Sequence, residues 1–272
     1  MATWNRLSSA LFDRLLAPFG HAPAWFDLLL WPVLAGMLAL VVYKYASHQR
    51  GIERTKERIK AHLYEVRLFG HDPLAVLSAT GRILFHNAIY LGHNLLPMAV
   101  ALVPMLALLS QLEANYAFAP APVGAVELLR LELDPAAGVS PREVRLELPA
   151  GVALDAPPVR TVEGEVFWRL RAERAGDHRL AIHVGDELVE KGWAVGGAPR
   201  KIPLMRSKAL DALLYPGEPA LAASSRVRRV WIAHPERELA WLPSGELGIA
   251  LTFLGVSLLA GFALKGRFGV TL

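Results

Sequence analysis

Three long apolar blocks constrain this chain more than any other feature of its sequence. They lie at Trp25–Tyr43, Leu95–Leu112 and Leu247–Leu264, and Asp27 is the only Asp, Glu, Lys or Arg within them. Each block falls within the ~17–25 residues that a helix needs to cross the hydrocarbon core of a bilayer. Because helices of soluble proteins usually carry a charged face, three transmembrane helices are a better interpretation than three buried helices of a soluble protein. The first block lacks a small-x-small cleavage pattern after it, which favours a membrane helix over a cleaved signal peptide.

The charges that flank these blocks predict the orientation of the helices. Segment 44–67 carries seven basic residues against three acidic ones, and Lys265 and Arg267 follow the third block. Basic residues in short loops favour the cytoplasmic side of a membrane. We therefore expect an inner (plasma) membrane protein of a bacterium, multi-pass, with its N-terminus outside, its C-terminus in the cytoplasm, and residues 113–243 outside the cytoplasm.

Between the second and third blocks the hydrophobic period changes from helical to alternating. The alternating apolar positions include Val144, Leu146, Leu148, Val166, Trp168, Leu170, Leu180 and Ile182. Turn signals such as Pro149-Ala150-Gly151 and Gly185-Asp186 separate these runs. Six to eight short strands at this spacing predict a β-sandwich of immunoglobulin-like size, with a short helix near Ser207–Leu214.

The predicted fold class is therefore membrane α+β, with three transmembrane helices, a short cytoplasmic helical hairpin and an extracytoplasmic immunoglobulin-like β-sandwich. Its predicted parts are an interfacial amphipathic helix (1–24), transmembrane helix 1 (25–45), the cytoplasmic hairpin (46–85), transmembrane helix 2 (86–112), the β-sandwich domain (113–243), transmembrane helix 3 (244–265) and a cytoplasmic tail (266–272). The amphipathic helix is predicted from apolar residues at three- and four-residue spacing, namely Trp4, Leu7, Leu11, Leu15 and Phe19. A frayed extension of transmembrane helix 1 is the alternative.

The predicted hairpin consists of a charged helix over 47–69, a break at Gly70–Pro73 and a second helix from Leu74. The charged helix is basic through Arg50, Arg54, Lys56, Arg58 and Lys60. It also has a narrow apolar stripe of Ile52, Ile59, Leu63 and Val66, which we expect to face Leu74, Leu77, Ile83 and Leu84 of the second helix.

No pattern in the sequence is typical of catalysis. The chain contains no cysteine, and its nine histidines are scattered outside any metalloprotease, phosphate-loop or nucleophile-elbow motif. His178 and His183 are five residues apart, so on one strand they would point to opposite faces. We therefore predict that the protein is not an enzyme and has no metal site, no cofactor and no nucleic-acid partner.

A polar stripe on predicted transmembrane helix 2 is the strongest candidate for a functional site. It consists of His86, Asn87, Tyr90, His93 and Asn94, within about a third of the helix circumference at ~3.6 residues per turn. The same line continues through Pro97 and Pro104 to Gln111. Polar groups that face lipid are costly and proline frees backbone carbonyls, so the stripe indicates a hydrated groove.

The alternative is that residues 86–94 sit among lipid headgroups, because Leu95–Leu112 is long enough to span the membrane by itself. In predicted transmembrane helix 3, Gly248, Thr252 and Gly255 form a small-residue face. This face is typical of a packing seam against another helix.

The layout resembles the YidC-type membrane protein insertases, and most of all their compact three-helix relatives, the archaeal YidC-like proteins and the third subunit of the endoplasmic reticulum membrane complex. The similar features are Tyr45–Gln49 leaving the first helix, the basic run to Lys60, the Gly70–Pro73 break, and Leu96-Pro97 followed by Val103-Pro104. They cover residues 25–115 and, less distinctly, 245–265. The β-rich region is an addition that the compact relatives lack.

The resemblance implies energy-independent insertion of membrane segments. The groove would shield polar parts of a substrate, and the cytoplasmic hairpin would receive it. The implied partners are membrane lipids and nascent or unfolded membrane proteins, and the protein would be an insertase or membrane chaperone. The alternative is a structural or scaffolding subunit, whose β-sandwich binds another envelope protein while the helices serve as an anchor. The polar stripe separates the two hypotheses, because an anchor does not need it.

Overall fold

A computed structural model describes residues 14, 23–47, 49–208 and 211–270, without the side chains of Gln49 and Arg50. The predicted amphipathic helix of residues 1–24 therefore lies almost entirely outside the described residues. The chain divides into two compact units. The β unit comprises the described parts of Met1–Leu29 and Ala107–Phe253, and the helical unit comprises those of Leu30–Leu106 and Leu254–Leu272.

The described α-helices are α1 (Ala24–Ala46), α2 (Gln49–Leu68), α3 (Pro73–Tyr116), α4 (Asp211–Leu214) and α5 (Gly245–Phe268). Three of them, α1, α3 and α5, are long and apolar enough to cross a membrane. The prediction of a multi-pass membrane protein of the α+β class is confirmed at this level.

The start of α3 is determined locally by Asp72 and Pro73. The Asp72 carboxylate accepts hydrogen bonds from the backbone N–H groups of Leu74 and Ala75 at 3.0 and 3.3 Å, as an N-cap does. Proline suits the first helical position, where no intrahelical N–H bond is lost. From there α3 continues for 44 residues, about 66 Å at 1.5 Å per residue. The second helix of the predicted hairpin and predicted transmembrane helix 2 are thus one continuous helix.

The described strands are β1 (Val126–Leu133), β2 (Val144–Glu147), β3 (Val152–Arg160), β4 (Glu165–Ala172), β5 (Gly176–Val184), β6 (Glu187–Val195), β7 (Met205–Ser207) and β8 (Val227–Ile232). They form a five-stranded sheet in the order β3-β4-β1-β8-β7 and a three-stranded sheet in the order β2-β5-β6. Every strand pair is antiparallel. The expected helix at Ser207–Leu214 is shorter, because Ser207 ends β7 and α4 begins at Asp211.

One hydrophobic cluster joins the two sheets. It contains Leu131 and Trp168 from the larger sheet together with Ile182 and Trp193 from the smaller one. The strand positions that alternate with these cluster residues are mostly exposed or half-buried. This burial follows the pleat, in which successive side chains point to opposite faces of a sheet. The predicted β-rich region between the second and third apolar helices is confirmed.

In the helical unit, α2 packs antiparallel against the first half of α3. The contacts run from Glu65 with Arg82 at 3.4 Å, through the rings of His62 and His86 at 5.3 Å between centroids, to Lys56 over the ring of Tyr90 at 5.6 Å. As the α2 residue number falls, the number of its α3 partner rises. This is the geometry of two antiparallel helices joined by a tight turn.

The apolar contacts of this helix pair differ from the expectation. Leu63, Leu74, Leu77 and Leu84 are exposed, whereas Ile52 and Ala79 are fully buried. On α3, Ala79 and His86 share one face, and Leu77 and Leu84 lie about 160° away from it at ~100° per residue. The face of α3 that meets α2 therefore carries the polar side chains Arg82, His86 and Tyr90, and the leucines remain outside.

Candidate functional site

The buried part of the polar stripe lies where α3 meets α1. Asn94 is 8% exposed, and its amide oxygen accepts a hydrogen bond from the hydroxyl of Tyr43 on α1. The Asn94 amide nitrogen donates to the backbone carbonyl of Tyr90 at 2.6 Å. Both ends of the amide are thereby satisfied, which a polar group among apolar helices requires.

The half-buried part of the stripe lies against the basic helix α2. His86 and Tyr90 contact His62 and Lys56 respectively, as described above, and His93 is also half-buried. Next to this contact, Thr55 is buried and donates from its hydroxyl to the carbonyl of Gly51 at 2.8 Å. The structure therefore brings His86, Tyr90 and Asn94 together with polar and cationic groups of the neighbouring helices.

Several predicted site residues lie elsewhere. Asn87 is exposed, and Gln111 belongs to the β unit, where its side-chain oxygen accepts a hydrogen bond from Lys201 at 2.9 Å. Pro97 is buried and Pro104 is half-buried, and α3 continues through both. Of the predicted basic residues, Lys56 is half-buried, Arg54, Arg58 and Lys60 are exposed, and the side chain of Arg50 is outside the described atoms.

The predicted packing residues of α5 have different environments. A Cβ atom added at Gly255 would meet no heavy atom within 4 Å. At Gly248 it would lie 2.5 Å from the carbonyl oxygen of Pro243, and Thr252 donates to the Gly248 carbonyl at 2.9 Å. Both of these contacts are local to the start of α5.

The close approach between helices occurs at Gly36 of α1. A Cβ atom there would lie 2.5 Å from the carbonyl oxygen of Ser257 and 3.3 Å from the Cβ atom of Ala260 on α5. Small residues allow such backbone contact between membrane helices. This seam was not predicted, although Ala35-Gly36 in an otherwise bulky block was a signal for it.

A buried carboxylate in the β unit was also missed. Asp27 is almost fully buried near the start of α1, and Tyr116 at the end of α3 donates to its Oδ2 atom at 2.5 Å. Arg237 stacks over the Tyr116 ring at 5.3 Å and donates to the carbonyl of Asn115 at 3.1 Å. The signal in the sequence was that Asp27 is the only charged residue within an apolar block.

A second feature of the β unit is an open groove of 380 Å³ beside Trp231. We call it the Trp231 groove. It carries aromatic, basic, acidic and imidazole side chains, and its lining consists of Phe118, Leu204, Met205, Tyr215, Arg229, Trp231, Ala233, His234 and Glu246. Phe118, Leu204, Tyr215 and Glu246 also line an adjoining narrow cavity, together with Glu113.

Two titratable side chains of this groove, His234 and Tyr215, have shifted pKa values. Burial lowers the pKa of His234 to about 4, and the positive charges of Lys191 and Arg200 act in the same direction. His234 is therefore neutral near pH 7. Burial raises the pKa of Tyr215, and the carboxylates of Glu246 and Glu113 raise it further. The tyrosine hydroxyl consequently remains protonated beside two acidic groups.

A buried ion pair lies between β6 and the segment that precedes β8. Lys191 is fully buried, and its ammonium group contacts Glu218, the carbonyl of Pro203 and, at 3.0 Å, the carbonyl of Gly192. Glu218 also accepts a hydrogen bond from the Gly192 N–H at 2.7 Å. Burial lowers the pKa of Lys191, while the Glu218 carboxylate opposes that shift.

Within the described residues, no group of three or more His, Asp or Glu side chains could hold a metal ion. No protein-family model, curated protein or solved structure matches this chain.

Proposed function

We propose that this chain is an insertase-like protein or membrane chaperone that helps membrane segments to insert or fold. It would act by solvating and positioning its substrate, without a covalent step. The observation that carries the proposal is the arrangement of His86, Tyr90 and Asn94 on the face of α3 that meets α1 and α2. Polar side chains within membrane helices are expensive, so their retention on an inward face favours a function over simple anchoring.

The end of the α2–α3 helix pair supports the same proposal. Tyr64, Leu68 and Phe69 at the end of α2, and Leu74 and Leu77 at the start of α3, are exposed. They lie at the turn end of the helix pair, of which α2 is otherwise strongly charged. An exposed apolar cluster on a polar element is typical of an interaction surface. In the cytoplasm, this surface would receive apolar substrate segments before they enter the membrane.

The proposal includes an orientation. The N-terminus would lie outside a bacterial inner membrane, the C-terminus and α2 in the cytoplasm, and the two sheets would form an immunoglobulin-like sandwich outside. Because the chain has no cysteine, single cysteines introduced at Ser47 and at the fully exposed Val162 are the sole thiols available for labelling. In spheroplasts, an impermeant maleimide is expected to label V162C and not S47C. Labelling of S47C from outside would overturn this orientation.

The mechanism is tested by replacing the polar stripe. In the variant N87L/H93L/N94L, α3 becomes more apolar, so the protein should remain in the membrane while insertion of a model membrane protein slows. A photo-crosslinker at position 94 should capture nascent membrane segments, whereas one at the exposed position 95 should capture mainly lipid. Capture of lipid alone at position 94, together with normal insertion by the triple variant, would contradict the proposal.

A scaffolding role is the second candidate, and the independent core of the β unit favours it. In that case the two sheets would bind another envelope protein and the helices would serve as an anchor. Replacement of the core residue Trp168 by Asp should then abolish partner binding, while the triple variant of the stripe should leave partner binding nearly unchanged. For an insertase that acts through its helices, the triple variant should slow insertion, and W168D should leave insertion nearly unchanged.

A further inference from the structure

The Trp231 groove lies beside the ends of two candidate membrane helices. Glu246 precedes the apolar run 247–264 of α5, and Glu113 of the adjoining cavity follows the apolar run 95–112 of α3. Charged residues that border such runs mark the depth at which hydrocarbon ends and headgroups begin. The acidic end of the groove is therefore at headgroup depth.

Side chains of both charge signs line this single groove. Glu246 has no ion-pair partner among the described residues, and neither has Glu113. Arg229 contacts Glu132 through its Nε atom, and its guanidinium carbon lies 5.4 Å from the centroid of the Trp231 ring. The remaining guanidinium nitrogens can therefore serve a ligand. A groove with an unpaired carboxylate and an arginine suits a zwitterion better than a simple anion or cation.

His234 lines the groove and also holds a buried acceptor. Its Nδ1 atom lies 3.2 Å from the carbonyl oxygen of Ile232, so the neutral ring carries its proton on Nδ1 and donates it there. The buried Nε2 atom is consequently a lone-pair acceptor, and it has no partner among the described residues. The Glu246 carboxylate, which lines the groove, is an acceptor that favours a ligand with N–H donors.

From these observations we infer that the Trp231 groove binds the headgroup of a phospholipid that carries a primary ammonium, with the ammonium group at Glu246 and the phosphate group at Arg229. The volume of 380 Å³ suits a group of this size and is too small for a helix of a partner protein. A choline headgroup has the same charges but no N–H donor, and a glycerol headgroup has no cation. This inference does not depend on the proposed insertion activity.

Competition between lipids tests the inference on the full-length protein. The protein is reconstituted in nanodiscs with equal amounts of phosphatidylethanolamine, phosphatidylcholine and phosphatidylglycerol, and native mass spectrometry counts the lipids that it retains. One phosphatidylethanolamine should be retained roughly tenfold over the other two, the effect of about one charge-assisted hydrogen bond. Equal retention of the three lipids would overturn the inference, and this comparison needs no variant.

Two isosteric variants locate the site. E246Q should lose the preference for phosphatidylethanolamine, because the amide removes the charge that pairs with the ammonium group. The control E238Q changes an exposed carboxylate that does not line the groove, and it should keep the preference. An unchanged preference in E246Q would place the lipid elsewhere and overturn the assignment. Competition by O-phosphoethanolamine, which has no acyl chains, should be weak, and displacement as efficient as that by the lipid would argue for a soluble ligand instead.

Discussion

The β unit and the helical unit bury their large side chains to very different extents. In the β unit, Trp168 and Trp193 are 2% and 0% exposed. In the helical unit, Leu95 and Leu259 are 70% and 72% exposed, although both lie within candidate membrane spans. Lipid is as apolar as leucine, so burial of such side chains by protein adds little inside a membrane. The β unit is therefore stabilised by its own core, whereas the helical unit depends on lipid, small-residue contacts and a few hydrogen bonds.

The largest expected effect follows from separating the two parts. Residues 117–242, expressed alone, should fold as a soluble protein with a β-sheet circular dichroism spectrum and a cooperative unfolding transition. All eight strands and the hydrophobic cluster that joins the two sheets lie within this fragment. A helical or unfolded spectrum for a well-expressed fragment would show that the β unit needs the membrane helices after all.

Within that fragment, the buried ion pair should make the largest single contribution among its charged side chains. The variant K191M leaves the Glu218 carboxylate without its cation, which should lower the free energy of unfolding by roughly 3–5 kcal/mol. The control R171Q removes one surface partner of Asp155, whose other partner Arg169 remains at 2.9 Å. It should lower the free energy of unfolding by less than about 1 kcal/mol. Urea denaturation measures both, and adding E218Q to K191M should recover part of the loss.

The acid sensitivity of the fragment should come largely from His234. The pKa of this side chain is about 4 in the folded protein, against 6.5 for an ordinary histidine. Between these values the unfolded chain binds a proton that the folded chain does not. Stability should therefore fall as the pH decreases from 6.5 to 4, by about 3 kcal/mol in total. The variant H234Q should show a much smaller loss over this range, and equal losses in both proteins would assign the effect to other groups.

The helical unit should respond instead to the size of single residues at its seam. Substitution of glycine by alanine inside a helix gains up to about 1 kcal/mol of helix propensity at either position. At Gly36 the new Cβ atom would meet the Ser257 carbonyl at 2.5 Å, whereas at Gly255 it would meet nothing within 4 Å. We expect G36A to destabilise the protein in micelles by about 1–3 kcal/mol, and G255A to be neutral or stabilising. Equal thermal stability of the two variants would contradict a close contact between α1 and α5 at Gly36.

In both regions the sequence allows the helices and strands to be predicted, but not the partners of the buried polar side chains. Strong periodic signals are local, so the apolar blocks and the alternation around Trp168 predict three helices and a sheet region. The partner of a buried polar side chain, in contrast, can be distant in the sequence. Lys191 falls in phase with the buried Val189 and Trp193, yet a lysine in a strand ordinarily indicates solvent, and its partner Glu218 is 27 residues away. The polar stripe has the same limitation, because helical spacing identifies Asn94 but not its partner on another helix.

The smallest expected effect concerns the hydrogen bond at the centre of the polar stripe. The variant Y43F removes the hydroxyl that donates to Asn94, 51 residues away, while the ring that packs beside Leu40 and Ile52 remains. Hydrogen bonds between membrane helices are worth about 0.6 kcal/mol on average, because the alternative state also finds partners. We therefore expect Y43F to lower stability in a mixed-micelle denaturant titration by about that amount.

The control for this variant is Y45F, two residues further along the same helix. Tyr45 is 83% exposed, so removal of its hydroxyl should leave stability unchanged within error. If Y43F costs more than about 2 kcal/mol, the stripe is a structural element of the helical unit, and its polarity no longer favours a substrate path. If the cost is small and insertion slows in the triple variant of the stripe, the polar residues are retained for a task other than holding the helices together. The stability of Y43F and the insertion assay of the triple variant together therefore decide whether the stripe supports the insertase proposal.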